Sequence, residues 1–228
     1  MNHSNENYAY RAGVLFDLDG TLVDTAADFV AIVNKMRHID GKEPLPANTI
    51  RNSVSDGARA LITLAYNMVE GEDGFAEKRQ WLLDLYDEEL GNDAALFPGF
   101  EALLQRFEEN NIAWGIVTNK PAQFTDKLLQ RLNLQPSNGV AICPDHVTHS
   151  KPDPEPIFLA MKKLGLSANQ CVYVGDHDRD IAAGNAAQMT TIACAYGYIK
   201  EDDNIADWQA DHIVDNVASL EELLFQLI

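Results

Sequence analysis

Cysteine and positive charge are both scarce in this sequence of 228 residues. Its three cysteines, Cys143, Cys171 and Cys194, are odd in number and lack the C-x-x-C spacing typical of zinc and redox sites, so we expect reduced, mostly buried thiols. Lysine and arginine together number 17 against 35 aspartates and glutamates, a formal net charge of −18. A surface this acidic repels nucleic acid, and a site for any anionic ligand must therefore supply local positive charge or a metal ion.

Long apolar runs are also missing. No run approaches the roughly 20 residues needed to span a bilayer, and the polar segment 1–11 lacks the apolar stretch of a signal peptide. These absences predict a cytoplasmic protein that binds neither membranes nor nucleic acid. Hydrophobic residues still make up 46% of the chain, which is enough for one large domain or for a core domain with a smaller insert.

Short apolar runs alternate with amphipathic helical patterns along most of the chain. Near-continuous apolar strands separated by such helices are typical of a parallel sheet covered on both faces, so the pattern predicts a doubly wound α/β fold. Strands are predicted at 14–16, 112–117, 140–142, 171–174, 190–194 and 213–214. Helices are predicted at 100–110, 121–132, 155–165, 178–187 and 220–227.

The segment 25–96 breaks this alternation. It contains no convincing strand, and apolar residues recur at helical spacing in three stretches, 29–36, 58–68 and 81–86. We therefore expect an all-helical cap domain at 26–95, inserted into an α/β core that residues 1–25 and 96–228 form together.

Two aspartates and a glycine, Asp17, Asp19 and Gly20, follow the first predicted strand. Aspartates spaced i, i+2 point to one side of an extended backbone, and Gly20 lets the chain turn close to a ligand. Two carboxylates at the end of a buried strand need protons or a cation, and a hard divalent cation is the natural partner of carboxylate oxygens. The same residues also fit an ordinary polar turn.

Three further polar side chains follow later in the chain. Thr118 and Asn119 end the strand 112–117, where they could bind an anion at a helix N-terminus or simply cap the helix that begins near Pro121. Lys151 precedes three prolines that fix where it projects. It is either a solvated surface charge or a cation placed to offset an anionic ligand.

The strongest predicted strand, 171–174, leads to Asp176, and Asp180 lies about one helical turn further on. Acidic residues are favoured at helix N-termini by the macrodipole, which accounts for Asp178. Asp176 adjoins the strand itself and is a candidate metal ligand. Ligands of open α/β sheets bind at the carboxyl ends of the strands, so these segments predict one shared site.

In this order the four segments resemble the motifs of the haloacid dehalogenase superfamily, specifically its phosphoglycolate-phosphatase-like branch with a helical cap. The matching motifs are Asp17-Leu18-Asp19-Gly20-Thr21, Thr118-Asn119, Lys151-Pro152, and Gly175-Asp176 with Asp180. The resemblance covers essentially all of the chain beyond its N-terminal tail. It implies a Rossmann-like core and a Mg²⁺-dependent hydrolase of small phosphomonoesters. We separately expect a monomer or weak dimer.

The resemblance also implies roles for the aspartates. Asp17 attacks phosphorus and becomes an aspartyl-phosphate, while Asp19 protonates the leaving alkoxide and later accepts a proton from the attacking water. Mg²⁺ is held by Asp17, by Asp176 and by the backbone carbonyl of Asp19.

The remaining motif residues are implied to bind phosphate or to position the groups that do. Thr118 donates a hydrogen bond to a phosphoryl oxygen, and Gly20 and Asn119 belong to the same phosphate-binding set. Lys151 pairs with phosphate and with the nucleophile. Asp180 orients Lys151 or a metal-bound water.

Other functions remain as alternatives. Superfamily members that release halide lack an acid at the position of Asp19, so this residue favours phosphate transfer. Sugar-phosphate mutases of the β-phosphoglucomutase type share all four motifs. A non-catalytic, phospho-accepting signalling module would place its acceptor on a later strand and would lack a helical insert, so the sequence disfavours it.

The cap segment 51–59 is the candidate substrate loop. Arg51 and Arg59 could grip a substrate carboxylate or form surface salt bridges, and Ser55 could contact substrate or cap the following helix. With 143–147 and 150–156, this stretch also resembles the N-acetylmuramic acid 6-phosphate phosphatases of the same branch. That sugar phosphate and 2-phosphoglycolate both carry a carboxylate, so an arginine clamp does not separate them.

Overall fold

The computed structural model describes residues 10–200 and 202–228. The strands in these ranges are β1 (Ala12–Phe16), β2 (Val23–Asp24), β3 (Ala95–Leu96), β4 (Ile112–Val117), β5 (Ala141–Ile142), β6 (Cys171–Gly175), β7 (Thr190–Cys194) and β8 (His212–Val214). The helices are α1 (Ala26–Ile39), α2 (Ala47–Arg51), α3 (Gly57–Tyr66), α4 (Phe75–Glu89), α5 (Phe100–Glu109), α6 (Ala122–Arg131), α7 (Glu155–Leu164), α8 (Asp178–Ala186) and α9 (Val217–Leu227). Each strand and helix predicted for the α/β core is present, with small shifts at the ends.

Six of the strands form one parallel sheet in the order β5-β4-β1-β6-β7-β8. The predicted doubly wound α/β fold is therefore confirmed. β1 lies at the point where the strand order reverses, between β4 and β6. Because the three strands are parallel, their carboxyl ends meet at one edge of the sheet, where ligands bind in open α/β folds.

Side chains of β1 alternate between the two faces of the sheet, as expected for a strand buried on both sides. Val14 and Phe16 enter the larger core, which α5, α6, α9 and the cap helices share. Leu15 enters a second core formed with α7 and α8. In the larger core Phe16 packs edge-to-face on Phe100, with ring centroids 5.5 Å apart. The central strand is thereby anchored by apolar contacts on both faces.

A short antiparallel ribbon joins the core to the helical segment. β2 pairs with β3 through Val23 opposite Leu96 and Asp24 opposite Ala95. Because β3 lies within 25–96, the prediction that this segment contains no strand was wrong at its C-terminal end. A strand of two residues is too short to show alternation. Helices α1 to α4 lie between the two strands of the ribbon, in the segment predicted to be the cap.

Apolar side chains at helical spacing bury the inner face of the cap. On α1 these are Phe29, Ile32, Val33 and Met36, which all lie within the larger core. Phe29 stacks on Tyr86 of α4, with ring centroids 4.2 Å apart. Tyr86 also packs edge-to-face on Phe124 of α6, with ring centroids 5.3 Å apart, which places it on the side of the cap that faces the core.

The structure describes all three cysteines and most of the chain in which a membrane-spanning helix could lie. All three cysteines are buried and free, as predicted. No helix within 10–200 and 202–228 combines the length and the apolar character needed to cross a membrane. The segment for which we expect no signal peptide, 1–11, lies outside the described residues except for its last two positions.

Candidate active site

A buried lysine joins two buried aspartates at the carboxyl edge of the sheet. The Nζ atom of Lys151 lies 2.8 Å from Oδ1 of Asp17 and 2.7 Å from Oδ1 of Asp180. Burial alone would lower the pKa of Lys151, but the two carboxylates outweigh burial and hold that pKa well above its ordinary value. Burial alone would raise the pKa of Asp17, but Lys151 holds it below its ordinary value. Lys151 is therefore a fixed internal cation and not a solvated surface charge.

The main chain and neighbouring side chains hold Lys151 in this position. Asn119 donates a hydrogen bond from Nδ2 to the carbonyl oxygen of Lys151, at 2.9 Å. Lys151 in turn donates from Nζ to the carbonyl oxygen of Val117 at 2.7 Å and to the hydroxyl of Tyr173 at 3.0 Å. The segments predicted around Asn119 and Lys151 thus meet directly.

Asp176 lies directly after β6 and is only 1% exposed. Its Oδ1 accepts a hydrogen bond from the hydroxyl of Thr21, and its Oδ2 accepts one from the backbone N–H of Tyr198, both at 2.9 Å. These donors are neutral. Burial, and after it the charges of Asp17 and Asp180, raise the pKa of Asp176 to about 8.

Two glycines make room for the Asp176 side chain. A Cβ atom at Gly20 or at Gly197 would collide with the Asp176 side chain. Gly20 also has φ = 86°, a conformation that favours glycine. The turn predicted after Asp19 therefore brings the backbone of the first motif against the carboxylate of the fourth.

The three buried carboxylates form a set suited to a divalent cation. Oxygen atoms of Asp17, Asp176 and Asp180 lie within 4.8 Å of one another. Lys151 contacts two of these carboxylates and supplies one positive charge, which leaves an excess of buried negative charge. A hard ion with oxygen ligands, such as Mg²⁺, fits this donor set.

Asp19 faces a cavity of about 300 Å³ between the core and the cap. Its Oδ1 accepts hydrogen bonds from the hydroxyl of Thr25 at 2.6 Å and from Nζ of Lys120 at 2.8 Å. Lys120 also donates to the hydroxyl of Tyr86, on the cap, at 2.6 Å. Sequence reasoning missed both Lys120 and Tyr86, although a lysine directly after Thr118 and Asn119 in so acidic a chain was an available signal.

Thr118 borders the same cavity at the end of β4, beside Asp17. Its Oγ1 accepts a hydrogen bond from the backbone N–H of Lys120 at 3.1 Å, so its own O–H is available to donate. Neither Thr118 nor Asn119 caps α6, whose N-cap position is Pro121. The arrangement favours anion binding over capping at this strand end.

Sequence comparison matches the chain to a described family. Residues 14–194 match the family described as haloacid dehalogenase-like hydrolase. The chain belongs to this family. A Pseudomonas putida protein named N-acetylmuramic acid 6-phosphate phosphatase is 43% identical to this hydrolase over 211 residues, 92% of this chain and 95% of that protein. A Xanthomonas campestris protein named phosphoglycolate phosphatase is 41% identical over 209 residues, 92% of this chain and 94% of that protein.

A solved structure has the same fold as this hydrolase. A crystal structure described as a predicted phosphoglycolate phosphatase from Haemophilus somnus superposes with a TM-score of 0.79 and 24% identity, covering 95% of this chain and 98% of that one. At this identity the likeness establishes the fold alone. It agrees with the parallel sheet and the inserted helices described above.

The structure gives the two arginines of the expected carboxylate clamp other partners in this hydrolase. Arg51 forms an ion pair with Asp24 at 2.7 Å, and Arg59 forms one with Glu70 at 3.1 Å. Neither arginine is among the residues that line the cavity, so both follow the salt-bridge alternative. Ser55 does line the cavity, and it does not cap α3, whose N-cap is Asp56.

Two other arginines reach the cavity of the hydrolase. Arg79 lies on α4 of the cap, and Arg179 lies on α8 of the core. Sequence reasoning did not single out either one, because a single arginine on or beside a predicted helix gives no sign of the surface it faces. Apolar side chains complete the wall of the cavity: Phe29, Val54, Leu83, Tyr86 and Phe124.

Proposed function

We propose that this hydrolase is a Mg²⁺-dependent phosphomonoester phosphatase that acts through an aspartyl-phosphate on Asp17. The observation that carries the proposal is the position of Asp17, which is paired with the buried Lys151 and borders the cavity beside Asp19. The phosphatase names of the relatives support it. The substrate we propose is a small phosphorylated metabolite that carries a carboxylate, 2-phosphoglycolate or N-acetylmuramic acid 6-phosphate.

Two aspartates with different roles act in both of the proposed steps. Asp17 attacks phosphorus, the bond from phosphorus to the leaving oxygen breaks, and Asp19 donates a proton to that oxygen. Asp19 then accepts a proton from the water that attacks the aspartyl-phosphate, which releases inorganic phosphate and restores Asp17. Mg²⁺, held by Asp17, Asp176 and the backbone carbonyl of Asp19, would supply charge neutralisation at the phosphoryl oxygens.

The other motif residues are proposed to hold the phosphoryl group. Lys151 offsets negative charge at Asp17 and at the phosphoryl oxygens, and Asp180 keeps Lys151 charged and oriented. Thr118 donates its O–H to a phosphoryl oxygen, and Asn119 fixes the main chain of Lys151. Gly20 keeps the approach to Asp176 open. We further propose that the protein is cytoplasmic and a monomer or weak dimer.

An assay of phosphate release with a panel of substrates tests this function. We expect the protein to hydrolyse p-nitrophenyl phosphate, 2-phosphoglycolate and N-acetylmuramic acid 6-phosphate in Mg²⁺, to lose activity in EDTA, and to regain it when Mg²⁺ is restored. Isomerisation of a sugar phosphate without free phosphate would identify a mutase instead. Metal-independent turnover would contradict the proposed centre.

The apparent affinity for Mg²⁺ should depend on pH. Because the pKa of Asp176 in the metal-free protein is raised to about 8, a proton occupies this carboxyl at lower pH and must leave when the metal binds. The dissociation constant should therefore increase as the pH falls below about 8, by up to roughly tenfold per pH unit, and level off above it. Calorimetric titration of the metal-free protein measures this dependence. An affinity that stays constant below that pH would contradict it.

Lys120 is proposed to position Asp19. Lys120 and Thr25 both bind Oδ1 of Asp19, which leaves Oδ2 free for proton transfer. We expect Lys120→Met to lower kcat on an alkyl phosphate by about tenfold or more, with little change in KM. Lys127→Met is the matched control, because it removes a partly exposed lysine on α6, the helix that follows Lys120. An increase in KM with kcat unchanged would show that Lys120 binds substrate instead.

A further inference from the structure

Four residues that line the cavity each have a buried side-chain atom with no hydrogen-bond partner among the described residues: Ser55 Oγ, Arg79 Nε, Asn119 Oδ1 and Arg179 Nε. A buried polar atom without a partner is destabilising, and such atoms are rare in native structures. The grouping of four such residues around one cavity points to a polar ligand there.

Arg79 is the most exceptional of these residues. Within the part of the chain that the structure describes, its guanidinium forms no hydrogen bond and no ion pair. This is unexpected in a chain with a net charge of −18, where Arg51 and Arg59 of the same cap both pair with carboxylates. Arg79 also borders a depression on the cap that contains Glu70 and Glu77, yet it pairs with neither. Its positive charge is therefore available to a ligand in the cavity.

Arg179 extends the positive surface from the cap to the core. Its Nη2 donates a hydrogen bond to the carbonyl oxygen of Ser55 at 2.8 Å, which fixes the guanidinium against the cap loop. Its Nε remains without a partner, as does the hydroxyl of Ser55. The residues that line the cavity thus include one guanidinium without a partner among the described residues, a second that the cap loop holds in place, and a hydroxyl without a partner.

We propose that Arg79, Arg179 and Ser55 form a subsite that binds the carboxylate of the substrate while Asp17 attacks its phosphate. The inference rests on the proposed function and assigns the carboxylate to residues other than Arg51 and Arg59. A guanidinium presents two parallel N–H donors that match the two oxygens of a carboxylate. In the proposed function, Lys151 and Thr118 at the sheet edge bind the phosphate end of the substrate.

A matched pair of sugar phosphates tests the subsite. N-acetylglucosamine 6-phosphate differs from N-acetylmuramic acid 6-phosphate by lacking the lactyl ether that carries the carboxylate. We expect the wild-type protein to favour the carboxylate-bearing substrate in kcat/KM, and we expect Arg79→Met to lower that preference by about 30-fold or more. Arg79→Lys keeps the charge without the planar pair of donors, so its preference for the carboxylate-bearing substrate should lie between those of the wild type and Arg79→Met.

The control is Arg59→Met, which removes an exposed cap arginine outside the cavity and should leave the preference unchanged. If wild-type protein hydrolyses both sugar phosphates equally well, or if Arg79→Met lowers both rates by the same factor, the subsite is wrong while the phosphatase function stands. If wild-type protein hydrolyses neither of them nor p-nitrophenyl phosphate, the proposed function itself fails.

Discussion

Replacing Asp17 with asparagine should reduce Mg²⁺-dependent hydrolysis of p-nitrophenyl phosphate by on the order of 10⁴-fold or more. An amide is not a nucleophile toward phosphorus, so the proposed aspartyl-phosphate could not form. The substitution also removes one of the three carboxylates that are grouped within 4.8 Å, and so it weakens metal binding. Steady-state rates of nitrophenol release, measured at saturating Mg²⁺, give the result directly.

The fold should survive this substitution. Lys151 keeps Asp180, the hydroxyl of Tyr173 and the carbonyl oxygen of Val117 as partners, so its charge remains compensated. We expect a circular dichroism spectrum and a cooperative melting transition like those of the wild type. Asp178→Asn, the same chemical change at an exposed position nearby, should keep full activity. Wild-type turnover by Asp17→Asn would refute the nucleophile assignment.

Replacing Asp19 with asparagine should give a different kinetic pattern, because Asp19 is proposed to act in both steps. With an alkyl phosphate the leaving oxygen needs a proton, so we expect kcat to fall by about 10²- to 10⁴-fold. Nitrophenolate leaves without a proton, so the first step should persist with p-nitrophenyl phosphate. The variant should therefore release a burst of nitrophenol close to one equivalent and then turn over slowly, since the attacking water lacks its base.

The hydrogen bonds of the Asp19 side chain can be kept when asparagine replaces it. An asparagine there keeps an Oδ1 atom that can accept the hydrogen bonds from Thr25 and Lys120, so the side chain should stay in place. Rapid-mixing measurements of nitrophenol release resolve the burst. Equal loss of rate on both kinds of substrate, without a burst, would show that Asp19 does not act as the proton donor.

Much of the candidate site follows from local sequence features. Asp17, Thr118 and Asp176 each come directly after an apolar strand, and parallel strands bring such positions to one edge of a sheet. The sequence did not determine the order of the strands. In the structure β1 lies between β4 and β6, which brings the segments that follow the strands close enough to form ion pairs and hydrogen bonds. The ribbon of β2 and β3 escaped notice because two residues carry no periodicity.

The contacts that long-range packing creates were harder to predict. Lys120 looked like one more residue at the start of a helix, yet it joins Asp19 of the core to Tyr86 of the cap. Arg51 and Arg59 stood in the expected substrate loop, yet acidic neighbours satisfy both of them. Spacing along a helix shows which residues share a face, but not what that face meets.

The sequence by itself therefore determined the α/β class, the helical insert and the aspartates at the strand ends. These depend on hydrophobic periodicity and on short spacings, which act over a few residues. Only the tertiary structure decided which arginines face the cavity. Arg79 and Arg179 line it, whereas Arg51 and Arg59 pair with acidic neighbours. The reason is that the cavity exists only where the cap packs against the core, which brings together side chains far apart in the chain.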